Sequence, residues 1–99
     1  MLTEDSFAHK GLRKFWNSGG TDISGIPAEF EATLREMLVH LNTAHNLNDI
    51  HSDYAKQKKI KRLKGLKRYS MRVNGNWRLT FKACRITCYI SEIMLEDYH

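Results

Sequence analysis

The chain ends in Glu96-Asp97-Tyr98-His99, and this cluster holds residue types that move protons. Two carboxylates lie within reach of the His99 imidazole, that of Asp97 and the α-carboxylate of the last residue. Both favour the protonated ring, so His99 is expected to titrate above a free histidine and to act as acid or base near neutral pH. Terminal residues are also commonly frayed, and spacing alone leaves that reading open. The other four histidines divide: His9 begins a helix, His40 lies on the exposed flank of one, and His45 and His51 fall in polar loop. No pair has i, i+4 spacing across a carboxylate, so a zinc site is not expected. Cys84 and Cys88 lack a second pair for zinc. On a strand they would stand roughly 13 Å apart, too far for a disulfide, and are expected to be buried free thiols. There is no Gly-rich phosphate loop and no G-x-S-x-G elbow. The chemistry expected is therefore free of metal and cofactor.

Charge supplies the other half of the chemistry. The net charge of +5 hides an asymmetry. Residues 1–53 carry four Lys/Arg against eight Asp/Glu, whereas residues 54–99 carry twelve against three. A strongly basic second half implies an anionic partner, with nucleic acid foremost. A solvated basic face that only aids solubility is the plainer alternative. Arg68, Arg72 and Arg78 with Tyr89 suit single-stranded RNA, because guanidinium groups neutralise phosphates while aromatic rings stack on unpaired bases. RNA also carries its own nucleophile, the 2′-hydroxyl. Cleavage then needs only a base at the 2′-oxygen, an acid at the 5′-oxygen, and cations at the non-bridging oxygens.

The elements that must position these groups follow from periodicity. Ninety-nine residues with mean hydropathy −0.54 suit one compact domain, residues 1–99. No apolar run reaches the roughly 18 residues needed to span a bilayer, and Met1 to Lys10 lacks the apolar region of a signal peptide. Cytoplasm is the expected location, with no membrane partner. Leu2 to Phe7 is expected as a short strand, followed by a helix from about Ala8 that stops at Gly19-Gly20. Pro27 opens a second helix, and Phe30, Leu34, Met37, Leu38 and Leu41 form its apolar stripe to about Thr43. Ala55 to Arg62 is a lysine-rich run, helical or extended.

A hairpin turns at Asn74-Gly75. A three-residue loop, Val73-Asn74-Gly75 with left-handed glycine, places Tyr69, Met71, Trp77, Leu79 and Phe81 on one face. Arg68, Ser70, Arg72, Asn76, Arg78 and Thr80 then share the other. The last strand is expected from about Arg85 to Ile93, with Ile86, Cys88 and Ile90 facing the core and Tyr89 beside Arg78. Helices first and sheet afterwards give an α+β class: two N-terminal helices packed on one face of a small antiparallel sheet.

Several stretches together carry a family resemblance: residues 7–12 (Phe-Ala-His-Lys-Gly-Leu), 41–44 (Leu-Asn-Thr-Ala), 63–65 (Leu-Lys-Gly), 73–81 (Val-Asn-Gly-Asn-Trp-Arg-Leu-Thr-Phe) and the Asp97-Tyr98-His99 ending. The whole chain resembles the HigB branch of the RelE/ParE toxin superfamily, the plasmid-maintenance killer proteins. The N-W-R block ahead of a D-Y-H ending is the specific part. The resemblance implies a RelE-like fold and an endoribonuclease that cuts mRNA in the ribosomal A site. It also implies pairing with a helix-turn-helix antitoxin, HigA-like, which alone would touch operator DNA. Mapped here, Arg78 and Lys64 are implied as phosphate-stabilising cations, with Asp97, Tyr98 and His99 as the catalytic cluster. One departure matters: many HigB-type members carry a histidine just before Leu-Lys-Gly, where this chain has Lys61-Arg62. The stretch between Gly65 and the hairpin is also shorter than usual, and the region before it longer. The division of proton-transfer roles is thereby left open.

Two other functions fit the same pattern of elements: a gyrase-poisoning toxin of the ParE kind and a non-catalytic RNA- or ribosome-binding module. Neither needs the D-Y-H cluster. From charge alone, Lys58, Lys59, Lys61 and Arg62 are expected to contact ribosomal RNA. Neutralising Lys58, Lys59 and Lys61 together is expected to weaken ribosome binding and flatten its salt dependence in a pelleting assay. Unchanged binding would remove that contact.

Overall fold

Two helices with apolar stripes and a hairpin with alternating residues must share an interior, because neither buries its apolar side alone. A computed structural model of the protein describes residues 2–43, 68–83 and 89–97 with their side chains, and 61–63 through their backbone. Helix α1 spans Lys10–Asn17 and α2 Glu31–Thr43; strands β1 (Lys61–Leu63), β2 (Arg68–Asn74), β3 (Trp77–Ala83) and β4 (Ile90–Asp97) follow. The strands pair antiparallel in the order β1-β2-β3-β4. The architecture is therefore α+β, and none of the described helices is long and apolar enough to cross a membrane.

One core unites the elements. Leu12 and Phe15 of α1, Phe30 just before α2, and Leu34, Met37, Leu38 and Leu41 of α2 cluster with Tyr69, Met71, Leu79, Phe81, Ile93 and Leu95 of the sheet. Phe30 meets Trp77 edge-on, with ring centroids 5.7 Å apart. The stripe expected on α2 is buried throughout. Pro27 caps a 3-10 turn, Ala28–Phe30, that runs into α2, and its fixed φ of −63° suits that entry. Gly19 and Gly20 end α1 with φ of 71° and 89°. The Gly20 N–H there closes on the Phe15 carbonyl at 2.8 Å.

The N-terminal segment departs from expectation. Leu2 to Phe7 is not a strand: Glu4–Ser6 form a 3-10 turn, and Phe7 makes a single parallel bridge to Ile93. Ser6 accounts for this, since its buried hydroxyl accepts the Thr3 N–H at 3.0 Å while its own N–H donates to the Thr3 carbonyl. That local bonding competes with strand formation. Helix α1 begins at Lys10, two residues later than expected, because His9 caps it: Nδ1 accepts the Leu12 N–H at 3.1 Å.

The hairpin keeps the expected faces but not the expected register. Asn74 pairs with Trp77 around Gly75-Asn76, and a bulge between Arg72 and Asn74 shifts the ladder. Met71 thus opposes Leu79 rather than Trp77, and Tyr69 opposes Phe81 rather than Leu79. A slip of two residues preserves the side-chain alternation, so the apolar and cationic faces stand as expected. Gly75 is left-handed, with φ of 54°.

Strand β4 also differs: it starts after Tyr89 and runs on to Asp97, past the expected end at Ile93. Ile90 is buried as expected, but the next inward residue is Ile93, three positions on. The reason is a bulge opposite Thr80 to Lys82, at which Glu92 adopts φ of 52°. Residues 84–88, including Cys84 and Cys88, lie outside the described residues.

A Cβ on Gly11 would collide with the Gly25 backbone, so the two glycines let helix α1 and the loop before α2 touch main chain to main chain. Gly11→Ala is expected to lower unfolding stability by about 1–3 kcal/mol in urea titrations, as overpacking does. His9 yields a second expectation. Burial lowers its pKa below the ordinary histidine value, and the neutral ring is also the form that can cap α1. Stability is then full above the ordinary histidine pKa and falls as pH drops through it toward the lowered folded value. His9→Asn keeps a cap acceptor, so its denaturation midpoint should lose that change between about pH 7.5 and about pH 5. An unaltered pH slope would contradict the assignment.

Candidate active site on the cationic sheet face

The alternation that buries Leu79 and Phe81 sends Arg78 and Thr80 to the other side of β3. Arg72 on β2 and Glu96 on β4 are the direct cross-strand neighbours of Arg78. Ser70 and Met94 flank Thr80 in the next row. Two arginines opposed across a strand pair repel one another. They persist because Arg72 is exposed and because Arg78 is turned aside: its Nη1 donates to the Gly75 carbonyl at 2.8 Å and to the Trp77 carbonyl at 3.0 Å. Those bonds fold the guanidinium over the hairpin turn.

Glu96 is held independently. The Thr80 hydroxyl, fully buried, donates to Glu96 Oε2 at 2.5 Å and accepts from Arg68 Nη2 at 3.1 Å. Arg68 also donates to the Glu92 carbonyl at 3.2 Å and pairs with its carboxylate at 3.5 Å, which leaves its side chain 17% exposed. Lys82 reaches the same carboxylate at 2.9 Å. The Lys82 bond, with Arg68 adding in the same direction, holds the Glu92 carboxyl below the ordinary glutamate range. Among the described residues, no ion pair joins Arg78 to Glu96 despite their adjacent positions. A cation and a carboxylate therefore stand on one face without neutralising each other.

The residues expected from sequence are placed in several ways. Arg68, Arg72 and Arg78 lie on this face; Tyr89, 49% exposed, precedes β4 and so stands at the far end of the β3–β4 pair, not beside Arg78, whose neighbour is Glu96. Asp97 closes β4 opposite Trp77, so strand alternation starts its side chain from the face opposite to Arg78 and Glu96. Lys61 and Arg62 are described only as backbone, paired with Ser70 and Tyr69. Lys58, Lys59, Lys64, Tyr98 and His99 lie outside the described residues. Sequence reasoning passed over Glu92, Lys82 and the role of Thr80. The signal for the first was the apolar spacing in Ile90-Ser91-Glu92-Ile93-Met94-Leu95, which breaks a period of two.

Comparison with known proteins identifies the family. Residues 5–99 match the family model described as the RelE-like toxin of the type II toxin-antitoxin system HigB. A curated relative, the endoribonuclease HigB of Proteus vulgaris, is 33% identical over 96 residues, covering 95% of this chain and 97% of that protein. The match takes in both helices, the hairpin with Arg78, and the strand that carries Glu96 and Asp97. The chain belongs to the HigB-like family of RelE-like type II toxins.

Proposed function

We propose that this protein is an endoribonuclease that cleaves mRNA on the ribosome, as one RelE-like toxin unit of residues 1–99 acting in the cytoplasm. What carries the reading is the near full-length likeness to a protein named an endoribonuclease. The cationic sheet face is consistent with it. In this reading the two N-terminal helices cover one face of the sheet and leave the face of Arg72 and Arg78 to RNA. Arg78 and Lys64 stabilise the charge that develops on the phosphate, and Tyr98 and His99 supply proton transfer without a metal, with Asp97, which starts from the reverse face, favouring the charged imidazole of His99. Arg72 and Tyr89 offer exposed surface to the RNA, Arg68 backs them from within its hydrogen bonds, and Lys58, Lys59, Lys61 and Arg62 reach toward the ribosome. Membership of a type II family implies an antitoxin partner. That partner is proposed to be of the HigA-like helix-turn-helix kind, and to mediate any contact with operator DNA.

The decisive measurement is mapping of mRNA 5′ ends after incubation with translating ribosomes. Discrete cleavage within A-site codons is expected for the wild type. Arg78→Ala is expected to reduce the cleavage rate by about 10²–10³, the usual effect of removing one charge-stabilising group. His99→Ala should likewise abolish most growth inhibition while leaving the melting temperature unchanged. Full potency of His99→Ala, with no new 5′ ends in wild type, would favour a gyrase-directed toxin or a binding module instead.

A further inference from the structure

Glu96 has no part in the acid–base assignments above, yet it is the carboxylate best placed for chemistry among the described residues. It sits directly across from Arg78, on the face where a phosphate would be held. Its Oε2 is fixed by the Thr80 hydroxyl, which in turn is oriented by Arg68, so one hydrogen-bonded line crosses β2, β3 and β4. A fully buried hydroxyl with both donor and acceptor engaged has no freedom to turn. The other carboxylate on this side, Glu92, is neutralised by Lys82 and Arg68 at the bulge. Among the described residues Glu96 has no such cation: none of them hydrogen-bonds to Oε1, and Arg78 is drawn away to the turn carbonyls. The charged groups around it, among the described residues, are Arg78, then Arg72 and Arg68 on β2, with Asp97 next along its own strand on the reverse face.

We propose that Glu96 is the general base of the cleavage reaction, with Thr80 and Arg68 as the residues that position it. This rests on the ribonuclease reading. Oε1 takes the proton from the 2′-hydroxyl of the nucleotide bound against Arg78. The freed oxygen pair forms a bond to phosphorus as the bond to the 5′-oxygen breaks. The departing 5′-oxygen takes a proton from an acid on the enzyme or from water. A 2′,3′-cyclic phosphate and a 5′-hydroxyl end result, so atoms and charge balance without a further reactant. An arginine beside the base suits this step, since it stabilises the phosphorane while leaving the carboxylate free to accept the proton.

The test is single-turnover cleavage of ribosome-bound mRNA across a range of pH, with Glu96→Gln, Glu96→Asp, Thr80→Val and Thr80→Ser. Glutamine keeps an oxygen for the Thr80 hydrogen bond, so ribosome binding and melting temperature should be retained. Its rate should fall by about 10²–10⁴, the usual contribution of a general base, with loss of the acid-side limb of the pH profile. An mRNA with sulfur in place of the 5′-bridging oxygen needs no acid, so it should not rescue Glu96→Gln. Glu96→Asp should keep the limb at a reduced rate. Thr80→Val should lower the single-turnover rate without weakening ribosome binding, and Thr80→Ser should restore it. A Glu96→Gln protein with the wild-type rate and profile would overturn the assignment while leaving the ribonuclease reading intact. Rescue by the sulfur substrate would also overturn it, by making Glu96 the acid. A wild-type protein that cuts no mRNA would fell both.

Discussion

The bulge at Glu92 is the constraint on which the rest of the arrangement depends. With a strict period of two from buried Ile90, residues 92, 94 and 96 would point inward, and Ile93 and Leu95 would be left outside. Placing Glu92 in a left-handed conformation inserts one residue and reverses the phase. Ile93 and Leu95 then reach the core, and Glu96 emerges beside Arg78. A non-glycine residue with positive φ costs on the order of 1 kcal/mol or more. That cost is offset by two cations converging on the Glu92 side chain and by the Arg68 bond to its carbonyl. The same arginine that secures the bulge also orients Thr80. Strand phase and carboxylate placement therefore share one anchor.

The polar side of this sheet is not simply a wetted surface. Ser70 and Thr80 are as buried as core residues although they lie on the side away from Leu79 and Phe81. Burying a hydroxyl is tolerated when its hydrogen bonds are made and costs about 1–3 kcal/mol when they are not. At Thr80 both are made, one to a cation and one to an anion, and bonds to charged groups are the stronger kind. The result is a rigid floor under charged side chains, which differs from a loose basic patch that merely attracts a polyanion.

Much of this was legible in the chain. The stripe on α2, the glycine stop after α1 and the two faces of the hairpin follow from periods of 3.6 and 2 together with turn residues. The hairpin register was missed by two because a bulge at Val73 changes which residues oppose one another without changing their parity. The N-terminal strand was misread because Leu2 and Phe7 bracket a serine whose side chain folds the backbone locally. Arg78 was visible as part of a motif. Glu96 was visible only as one more acid near the end, because its value comes from Thr80, sixteen residues away and on another strand.

The opposed arginines on β2 and β3 carry one more consequence. In the free protein, added salt screens the repulsion between Arg72 and Arg78 and so firms the hairpin. With a nucleic acid seated between them, the same salt competes for the phosphate and loosens the complex. On the proposed ribonuclease reading, ionic strength thus acts with opposite sign on the empty face and on the occupied one.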